Sequence, residues 1–309
     1  MKKLRRFLLG LVLIGLFTGT GALVYLFQPL TKKPLSFTGL KGNVQRGAYL
    51  ARASGCFACH TKKKGPVLAG GDPVITPFGT FYAPNITMHL KEGIGKWTLE
   101  NFSSALTHGL SPKGESYYPV FLYPNYTKLS AQDVIDLWAA FRTVPPNANK
   151  APDHNLKFPF QFRFLLRAWK RLFFEVGSYE VNKRMSDEWN RGAFLATGPA
   201  HCVACHSPRN ILGARDYGHE LNGSPQGPNG EKVPPITATA LLKKGWTKKD
   251  IVFSLRTGSK PDGDVFGGTM GEVMKDSTRF LSDSDLNAIA EYILSIEYID
   301  GKSQLKSQS

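Results

Sequence analysis

Cys56-Phe57-Ala58-Cys59-His60 and Cys202-Val203-Ala204-Cys205-His206 are the two stretches that decide how the rest of this chain is interpreted. Each has two cysteines three positions apart, followed at once by a histidine. On one helical turn, two thiols at this spacing can both form thioethers with the vinyl groups of a haem, and the next residue places its imidazole beneath the iron. The C-x-x-C-H pattern therefore predicts covalent haem c. The predicted attachment residues are Cys56, Cys59, Cys202 and Cys205, and the predicted iron ligands are His60 and His206.

The chain has four cysteines, and all of them lie in these two motifs. Paired C-x-x-C motifs are also typical of structural zinc sites, but a zinc site does not explain why a histidine follows both pairs. A thioredoxin-like dithiol would require a βαβ pattern around the motif, and neither motif has one. We therefore predict two covalently bound haem c groups.

The composition is that of a globular protein with room for two domains. The chain has 309 residues, of which 42% are hydrophobic and 20% are charged, which excludes an intrinsically disordered protein. The formal net charge is +15, and the propionates of two haems would lower it to about +11. A basic surface suits nucleic acid, an anionic membrane or an acidic protein. Haem attachment outside the cytoplasm disfavours nucleic acid, so we expect no nucleic-acid partner.

The N-terminus carries a segment that directs the chain to a membrane. Four basic residues precede an uncharged run of 21 residues, Phe7–Phe27, which as a helix is about 32 Å long and can cross a bilayer. The basic residues keep the N-terminus cytoplasmic and place the remainder on the periplasmic side of a bacterial inner membrane. Thr20-Gly21-Ala22 resembles a signal-peptide cleavage site, but the run stays apolar beyond it. Residues 1–30 are therefore predicted to be a membrane anchor or an uncleaved signal.

The two motifs belong to two copies of one helical unit. Arg46-Gly47-Ala48-Tyr49-Leu50 precedes the first motif and Arg191-Gly192-Ala193-Phe194-Leu195 precedes the second, and both predict a short entry helix. The glycine in each would let another helix approach closely. A middle helix is predicted within residues 97–109 of the first copy and 246–258 of the second, each running from a tryptophan to a glycine.

A closing helix is predicted at the end of each copy. Ser130 and Asp133 in the first copy, and Ser282 and Asp285 in the second, have the spacing of a helix-capping pair, and apolar residues recur at helical spacing after both. Neither copy has a long alternating strand pattern, so the predicted fold class is all-α. The predicted organisation is an N-terminal transmembrane helix (1–30), a linker (31–42), a first haem domain (43–150), an inter-domain segment (151–188), a second haem domain (189–300) and a tail (301–309).

The predicted inter-domain segment interleaves aromatic and basic side chains. Phenylalanines recur at positions 158, 160, 162 and 164, and arginines and lysines alternate with apolar residues from there to Phe174. One interpretation is that the segment packs across the junction between the two domains. The other is that part of it contacts the membrane surface or a partner.

The repeat also predicts a second axial ligand for the second iron. Electron carriers often use methionine at this position. Aligning Trp97 with Trp246 places Met270 opposite Phe121. Met270 is therefore the predicted sixth ligand in the second copy, while Met274 is the alternative and is better explained as a packing residue.

The first copy lacks the equivalent methionine, because Phe121 occupies its position. The candidates for the first iron are, in order, Met88, His89 and an open or water-bound iron. His108 is a further candidate, but it lies within the predicted middle helix and has a structural interpretation there.

With these motifs identified, the chain resembles the membrane-bound multihaem cytochrome c subunits of bacterial alcohol, gluconate and sorbitol dehydrogenases, and related dihaem cytochromes. The resemblance covers almost everything after about Gly42. It rests on Thr76-Pro77-Phe78-Gly79-Thr80, Ala83-Pro84-Asn85-Ile86-Thr87, Gly93-Ile94-Gly95-Lys96-Trp97, Trp189-Asn190-Arg191-Gly192-Ala193, Cys205-His206-Ser207-Pro208-Arg209-Asn210 and Gly267-Gly268-Thr269-Met270. It implies two cytochrome c-type domains on the outer face of the cytoplasmic membrane.

The resemblance also has implications for the iron ligands. In such proteins the methionine at the position of Met270 is an iron ligand. Their first haem domain usually reads tyrosine-proline-x-methionine-proline where this chain has Tyr118-Pro119-Val120-Phe121-Leu122. Such subunits commonly carry three haem domains, whereas two motifs are present in this chain.

The leading interpretation is a membrane-anchored dihaem cytochrome c with no substrate of its own. The resemblance implies that electrons enter from a periplasmic or membrane dehydrogenase and leave toward quinone, a soluble cytochrome or an oxidase of the respiratory chain. Exposed lysines such as Lys62, Lys63 and Lys64 could steer an acidic partner. The alternatives are a haem enzyme of the peroxidase or thiosulfate dehydrogenase type, using the unusual first haem, and the cytochrome subunit of a haem-copper oxidase.

Overall fold

The computed structural model of the protein describes residues 2–28 and 34–298, and within them the chain is mostly helical, as predicted. The helices are α1 (Lys2–Phe27), α2 (Val44–Ala53), α3 (Cys56–His60), α4 (Leu99–His108), α5 (Tyr123–Tyr126), α6 (Ala131–Phe141), α7 (Leu165–Phe173), α8 (Asp187–Thr197), α9 (Cys202–His206), α10 (Ala238–Leu242), α11 (Lys248–Thr257), α12 (Gly268–Asp276) and α13 (Asp283–Ser295). Short 3-10 turns lie at Pro119–Phe121, Tyr217–His219, Pro228–Gly230 and Thr278–Phe280. The predicted tail and the first residues of the predicted linker lie outside the described residues.

The ends of the middle and closing helices follow from local side-chain chemistry. The side chains of Thr98, Ser130, Thr247 and Ser282 each accept a hydrogen bond from the backbone N–H three residues on, at the start of α4, α6, α11 and α13. This pairing satisfies N–H groups that the first turn of a helix leaves without partners. The middle helices both end at a glycine in the left-handed region, and these four predicted helices are confirmed.

The entry and closing helices of each copy cross at a glycine. A Cβ atom on Gly47 of α2 would overlap the carbonyl oxygen of Asp136 in α6, and a Cβ on Gly192 of α8 would overlap that of Ala288 in α13. Only a residue without a side chain fits such a crossing. The predicted close approach of another helix at these two glycines is therefore confirmed.

A small antiparallel sheet supplements the helices, so the all-α prediction was incomplete. Strands β1 (Pro73–Thr76) and β2 (Gly79–Tyr82) form a hairpin, and β3 (Asn155–Leu156) pairs with the other edge of β2. Gly79 lies against the backbone of Asn155, with no space for a side chain. Each strand is too short for an alternating pattern to be recognised in the sequence, and β3 comes from the predicted inter-domain segment.

Each copy has its own apolar core, and the two cores are in contact. The first core includes Leu50, Phe102 and Leu137, from α2, α4 and α6. The second is built mainly from α8, α11 and α13. Ala53, at the end of α2 in the first copy, is fully buried in the second core, and Phe194 of α8 packs against the first.

Hydrogen bonds also join the two copies. The hydroxyl of Tyr49 donates to the carboxylate of Asp285 at 2.5 Å, and the same carboxylate accepts from Arg191 at 2.7 Å. The side-chain amide of Asn125, which is buried, donates to the carbonyl oxygen of Thr197 at 2.7 Å. Polar groups buried at this junction are therefore paired across it.

The N-terminal helix α1 has the properties of a membrane span. Its segment Lys3–Phe27 has a mean hydropathy of 2.2, and by length and composition it could cross a bilayer. A signal sequence shares these properties.

Candidate functional site

The two C-x-x-C-H motifs form matching single-turn helices. In α3 and α9 the chain enters through a residue in the left-handed region, Gly55 with φ 64° and His201 with φ 42°. The helical turn then places the two cysteines of each motif on neighbouring positions of one face, with the histidine at its end. Both motifs therefore have the same helical turn, with the same order of cysteine, cysteine and histidine.

Both motif histidines have the same orientation. Nδ1 of His60 lies 2.7 Å from the carbonyl oxygen of Pro84, and Nδ1 of His206 lies 2.8 Å from that of Pro234. Because a carbonyl can only accept, Nδ1 carries the hydrogen and the lone pair of Nε2 is free for a metal. Burial lowers the pKa of both imidazoles, which favours the neutral form that binds iron.

Sequence reasoning missed these two proline carbonyls, although the sequence contains a signal for them. Pro84-Asn85-Ile86-Thr87 and Pro234-Pro235-Ile236-Thr237 share the pattern P-x-I-T, which extends the internal repeat. In both copies the threonine is buried. The repeat therefore includes the segment that orients the histidine, as well as the motif itself.

The surroundings of the thiols do not favour dithiol redox chemistry. Burial raises the pKa of Cys56 and of Cys202 to about 12, and that of Cys59 to about 11. Reactive dithiols of the thioredoxin type have a lowered thiol pKa instead. Burial also raises the pKa of Cys205, so the surroundings of all four cysteines disfavour the thioredoxin-like alternative.

Three buried polar atoms of the second copy are compatible with a bound group that carries carboxylates. Thr237 Oγ1, Thr269 Oγ1 and Arg215 Nε are buried and have no hydrogen-bond partner in the described part of the chain. Buried polar atoms are normally satisfied, so such a set indicates a missing partner. Hydroxyl and guanidinium donors can bind carboxylates, and haem carries two propionates. The donor set of two thiols and one oriented imidazole, together with these atoms, fits haem c.

Met270 lies in the first turn of α12. It is half-buried and packs against the second core, which also contacts Cys202. The carboxylate of Glu231 accepts a hydrogen bond from the backbone N–H of Thr269 at 3.2 Å, so it fixes the residue immediately before Met270. Sequence reasoning missed Glu231, because its partner is distant in the chain and is a backbone group.

Met274 has a packing role, as the sequence analysis predicts. Its Cε is the atom nearest to the position that a Cβ on Gly258 would occupy, so it covers the glycine that ends α11. The structure therefore gives the two methionines of α12 different surroundings.

In the first copy, Phe121 and Met88 are both partly buried against the core that Cys56 contacts. Phe121 packs edge-on against the rings of Tyr117 and Tyr126, with centroids 5.5 and 6.0 Å away. Phe121 is thus an aromatic packing residue at the position equivalent to Met270.

The histidine candidates of the first copy have local partners. Nδ1 of His89 accepts a hydrogen bond from the backbone N–H of Glu92 at 3.0 Å. Nδ1 of His108 lies 2.8 Å from the hydroxyl of Thr107 in α4. In this arrangement Nε2 of His89 carries the hydrogen, and a nitrogen in that state does not bind a metal. The thioether of Met88 can bind a metal without a change of protonation.

The two motifs adjoin each other through buried residues. The hydroxyl of Tyr126 donates to the carbonyl oxygen of Ser54 at 2.7 Å, and the ring of His201 hydrogen-bonds to the backbone of Ser54. The ring centroids of Tyr126 and His201 are 6.1 Å apart. Since Ser54 lies two residues before Cys56 and His201 directly precedes Cys202, the turns that lead into α3 and α9 are in contact. Nothing in the sequence indicated this contact.

Comparisons with known proteins agree with this site. The cytochrome c family model matches residues 190–297. A diheme cytochrome c-type protein of Cereibacter sphaeroides is 38% identical over 296 residues, which cover 94% of this chain and 98% of that protein. The fructose dehydrogenase cytochrome subunit of Gluconobacter japonicus is 37% identical, over 87% of this chain and 55% of that subunit. The gluconate 2-dehydrogenase cytochrome c subunit of Pantoea cypripedii is 35% identical, over 86% of this chain and 62% of that subunit.

The chain thus spans nearly all of the diheme relative and a little over half of the two dehydrogenase subunits. The identity extends over both copies of the repeat, since it covers far more than the residues that the family model matches. The chain therefore belongs to the cytochrome c family that includes the diheme cytochrome c-type protein and the cytochrome subunits of fructose, alcohol and gluconate dehydrogenases.

Proposed function

We propose that this protein is a membrane-anchored dihaem cytochrome c that passes electrons from a periplasmic dehydrogenase toward the respiratory chain. Residues 43–150 and 189–300 each hold one haem c in this proposal, and residues 1–30 anchor them to the periplasmic face of the inner membrane. The observation that carries the proposal is the repeated arrangement of His60 on Pro84 and of His206 on Pro234. A single motif could arise by chance, whereas an oriented ligand at both motifs is what two haem sites require.

The residues of the chain hold, orient and shield the two irons. The cysteines of α3 and α9 fix each haem by thioethers, and His60 and His206 present Nε2 from a ring whose orientation the proline carbonyls set. When bound, haem c supplies a one-electron couple at the iron. The apolar cores pack against Cys202 and Cys56, so burial and ligand identity would tune the potential.

The proposed sixth ligands of the two sites come from different positions of the repeat. Met270 supplies a thioether in the second site, supported by its place beside the core that Cys202 contacts. Met88 supplies the thioether in the first site, with His89 as the less favoured candidate, because Met88 shares a core with Cys56. Because the local surroundings differ, the two irons would have different potentials, which gives electron flow a direction.

The partner in this proposal is a dehydrogenase, and the acceptor is quinone, a soluble cytochrome or an oxidase. Support for the donor comes from relatives named as subunits of fructose, alcohol and gluconate dehydrogenases. The net charge of +15 suits an acidic docking surface on either protein. Support for the membrane location comes from the length and hydropathy of α1.

The intact mass of the protein, matured in a host that attaches haem c, tests the proposal. We expect a polypeptide that carries two haems. The double variant Cys56→Ala with Cys59→Ala should carry one, and so should Cys202→Ala with Cys205→Ala. A native mass equal to that of the bare polypeptide, or to that of a polypeptide with only one haem, would refute the dihaem assignment.

A further inference from the structure

The C-terminal end of α1 is held against residues 157–173, which we call the aromatic-basic segment. The guanidinium of Arg171 lies over the ring of Tyr25 at 4.5 Å, and its Nε donates to the carbonyl oxygen of Tyr25 at 3.3 Å. The rings of Phe27 and Phe164 have centroids 5.9 Å apart. The segment therefore lies where the proposed transmembrane helix leaves the bilayer.

One side of this segment is fixed to the rest of the protein. Leu166 is buried, and Nζ of Lys170 is buried and donates to the carbonyl oxygens of His108 and Gly109 at 2.8 and 2.7 Å. The indole N–H of Trp169 donates to the carbonyl oxygen of Leu212, in the second copy, at 2.9 Å. Helix α7 is thus bound to both copies of the repeat, as the packing interpretation predicted.

The opposite side exposes large apolar side chains that continue from α1. Phe158, Phe162, Phe164 and Leu172 are 77%, 43%, 57% and 57% exposed. The centroids of Phe158 and Phe162, and those of Phe162 and Phe164, are 6.1 Å apart. With Phe27, these rings form a continuous row. A soluble surface rarely leaves such a patch in water, so it indicates a partner that covers it.

The charges of the segment are all positive. Residues 157–173 contain Lys157, Arg163, Arg167, Lys170 and Arg171 and no aspartate or glutamate. Lys170 points inward, and Arg167 is exposed on the surface of α7. Aromatic rings mixed with arginines and lysines are the composition that binds the interface of an anionic bilayer.

We propose that the aromatic-basic segment lies on the membrane surface and binds anionic phospholipid. The phenylalanine row enters the boundary between headgroups and acyl chains, while Arg167 contacts the headgroup phosphates. Its continuity with α1 favours lipid over a second protein as the occupant. This inference rests on the membrane anchor of the proposed function. Since α7 is fixed to both copies, the segment would set the orientation of the whole haem-bearing part above the bilayer.

Photo-crosslinking in native membranes tests where the segment lies, with the full haem-loaded chain. A benzophenone amino acid replaces Phe162, Leu13 of α1 or Phe253 of α11, and lipid adducts are measured by mass spectrometry. Phe253 is a matched control, because its side chain is 54% exposed and lies in the second copy. We expect lipid adducts at positions 13 and 162 and none at position 253.

The outcomes separate this inference from the anchor on which it rests. Lipid adducts at position 13 but not at 162 would overturn the inference and leave the anchor intact. Absence of adducts at position 13 would overturn both. A protein adduct at position 162 in place of lipid would show that the patch docks a partner, and would overturn the lipid assignment.

A charge variant tests the preference for anionic lipid. In nanodiscs containing phosphatidylglycerol, Arg167→Glu should lower the yield of lipid adducts at position 162 several-fold. Arg184→Glu makes the same charge change at another exposed arginine, outside the segment, and should leave the yield unchanged. Equal losses with both variants, or none with either, would overturn the role of Arg167.

Discussion

At the scale of single residues, two proline carbonyls decide which nitrogen of each motif histidine is available. Pro84 and Pro234 accept from Nδ1 of His60 and His206, so Nε2 is the nitrogen left free to bind a metal. On the other side of the predicted haem the two copies differ, because Met270 has Phe121 as its counterpart. The predicted sixth ligand therefore differs in position between the copies, while the hydrogen bond that orients the motif histidine is the same in both.

Met270→Ala should remove the sixth ligand of the second haem and leave the first haem intact. We expect the sulfur-to-iron absorption band of the second haem to disappear and its potential to fall, because a methionine ligand raises the potential. Optical redox titration of the purified protein measures both. Met88→Ala is the matched variant, and it should affect the first haem alone.

Two results would contradict these assignments. An unchanged sulfur-to-iron band in Met270→Ala would show that another residue, such as Met274, binds the second iron. A silent Met88→Ala, combined with an altered spectrum in His89→Ala, would transfer the first site to His89.

Lys170 predicts a pH dependence of stability. Burial lowers the pKa of its amine to about 7 in the folded protein, from an ordinary value of 10.5. Between these values the unfolded chain binds more protons than the folded protein, so the contribution of Lys170 to the free energy of unfolding rises with pH. Below pH 7 the cost of burying the charge is fully present.

Denaturant titrations of the native protein and of Lys170→Met, carried out from pH 6 to pH 10, measure this dependence. The difference in unfolding free energy, native minus variant, should grow as the pH rises above about 7. Titrations of other groups cancel in the difference. Two curves that remain parallel over this range would show that Lys170 does not change its charge there.

The proposed attachment residues are recognisable in the sequence because their chemistry is local. Cys56, Cys59 and His60 lie on one turn, so their spacing alone indicates the group they bind. The roles of Glu231 and His201 depend on backbone atoms that are distant in the chain. Spacing carries no information about such contacts, so these residues could be found only in the folded molecule.

At the scale of the elements, each copy is built on one helix crossing. Gly47 and Gly192 allow α2 and α8 to approach the backbones of α6 and α13. Because the two crossings are equivalent, they place α3 and α9 in equivalent positions at the ends of the entry helices.

Gly47→Ala and Gly192→Ala should each destabilise the protein by at least about 2 kcal/mol, since the added methyl group would have to displace the backbone of the facing helix. Chemical denaturation measures the effect. Gly177→Ala is the matched control, because a Cβ there has nothing within 4 Å, and it should change the stability by less than about 1 kcal/mol.

A loss of stability confined to one of the two glycines would contradict the equivalence of the crossings. A loss of equal size in Gly177→Ala would show that the effect comes from backbone freedom and not from contact between helices.

The helices were predictable, but the hairpin was not. Capping residues and apolar spacing mark α6 and α13 in the sequence, because both signals are local. The strands β1 and β2 have four residues each, and β3 has two, which is too short for a period of two to be detected. Their pairing depends on the return of the inter-domain segment to the first copy, which is a long-range contact.

At the scale of the whole molecule, charge dominates the expected interactions. The net charge is +15 before haem is added. A field of this sign raises the rate of encounter with acidic partners, and salt screens it.

The rate of electron exchange with an acidic partner should fall about ten-fold or more as ionic strength rises from roughly 0.01 M to 0.15 M, because the Debye length shrinks from about 30 Å to about 8 Å. Stopped-flow spectroscopy measures the rate. An uncharged small-molecule reductant is the control and should show no salt dependence. A flat profile with the protein partner would exclude electrostatic steering.

The burial of Ala53 in the core of the other copy has a consequence for the cooperativity of unfolding. If the chain were cut between the copies and the halves separated, the second core would lose the packing of Ala53. Asp285 and Thr197 would lose their hydrogen-bond partners across the junction. Neither half is then an autonomous folding unit. Calorimetry on residues 34–298 should record one melting peak with equal van't Hoff and calorimetric enthalpies, as expected when the two copies unfold together.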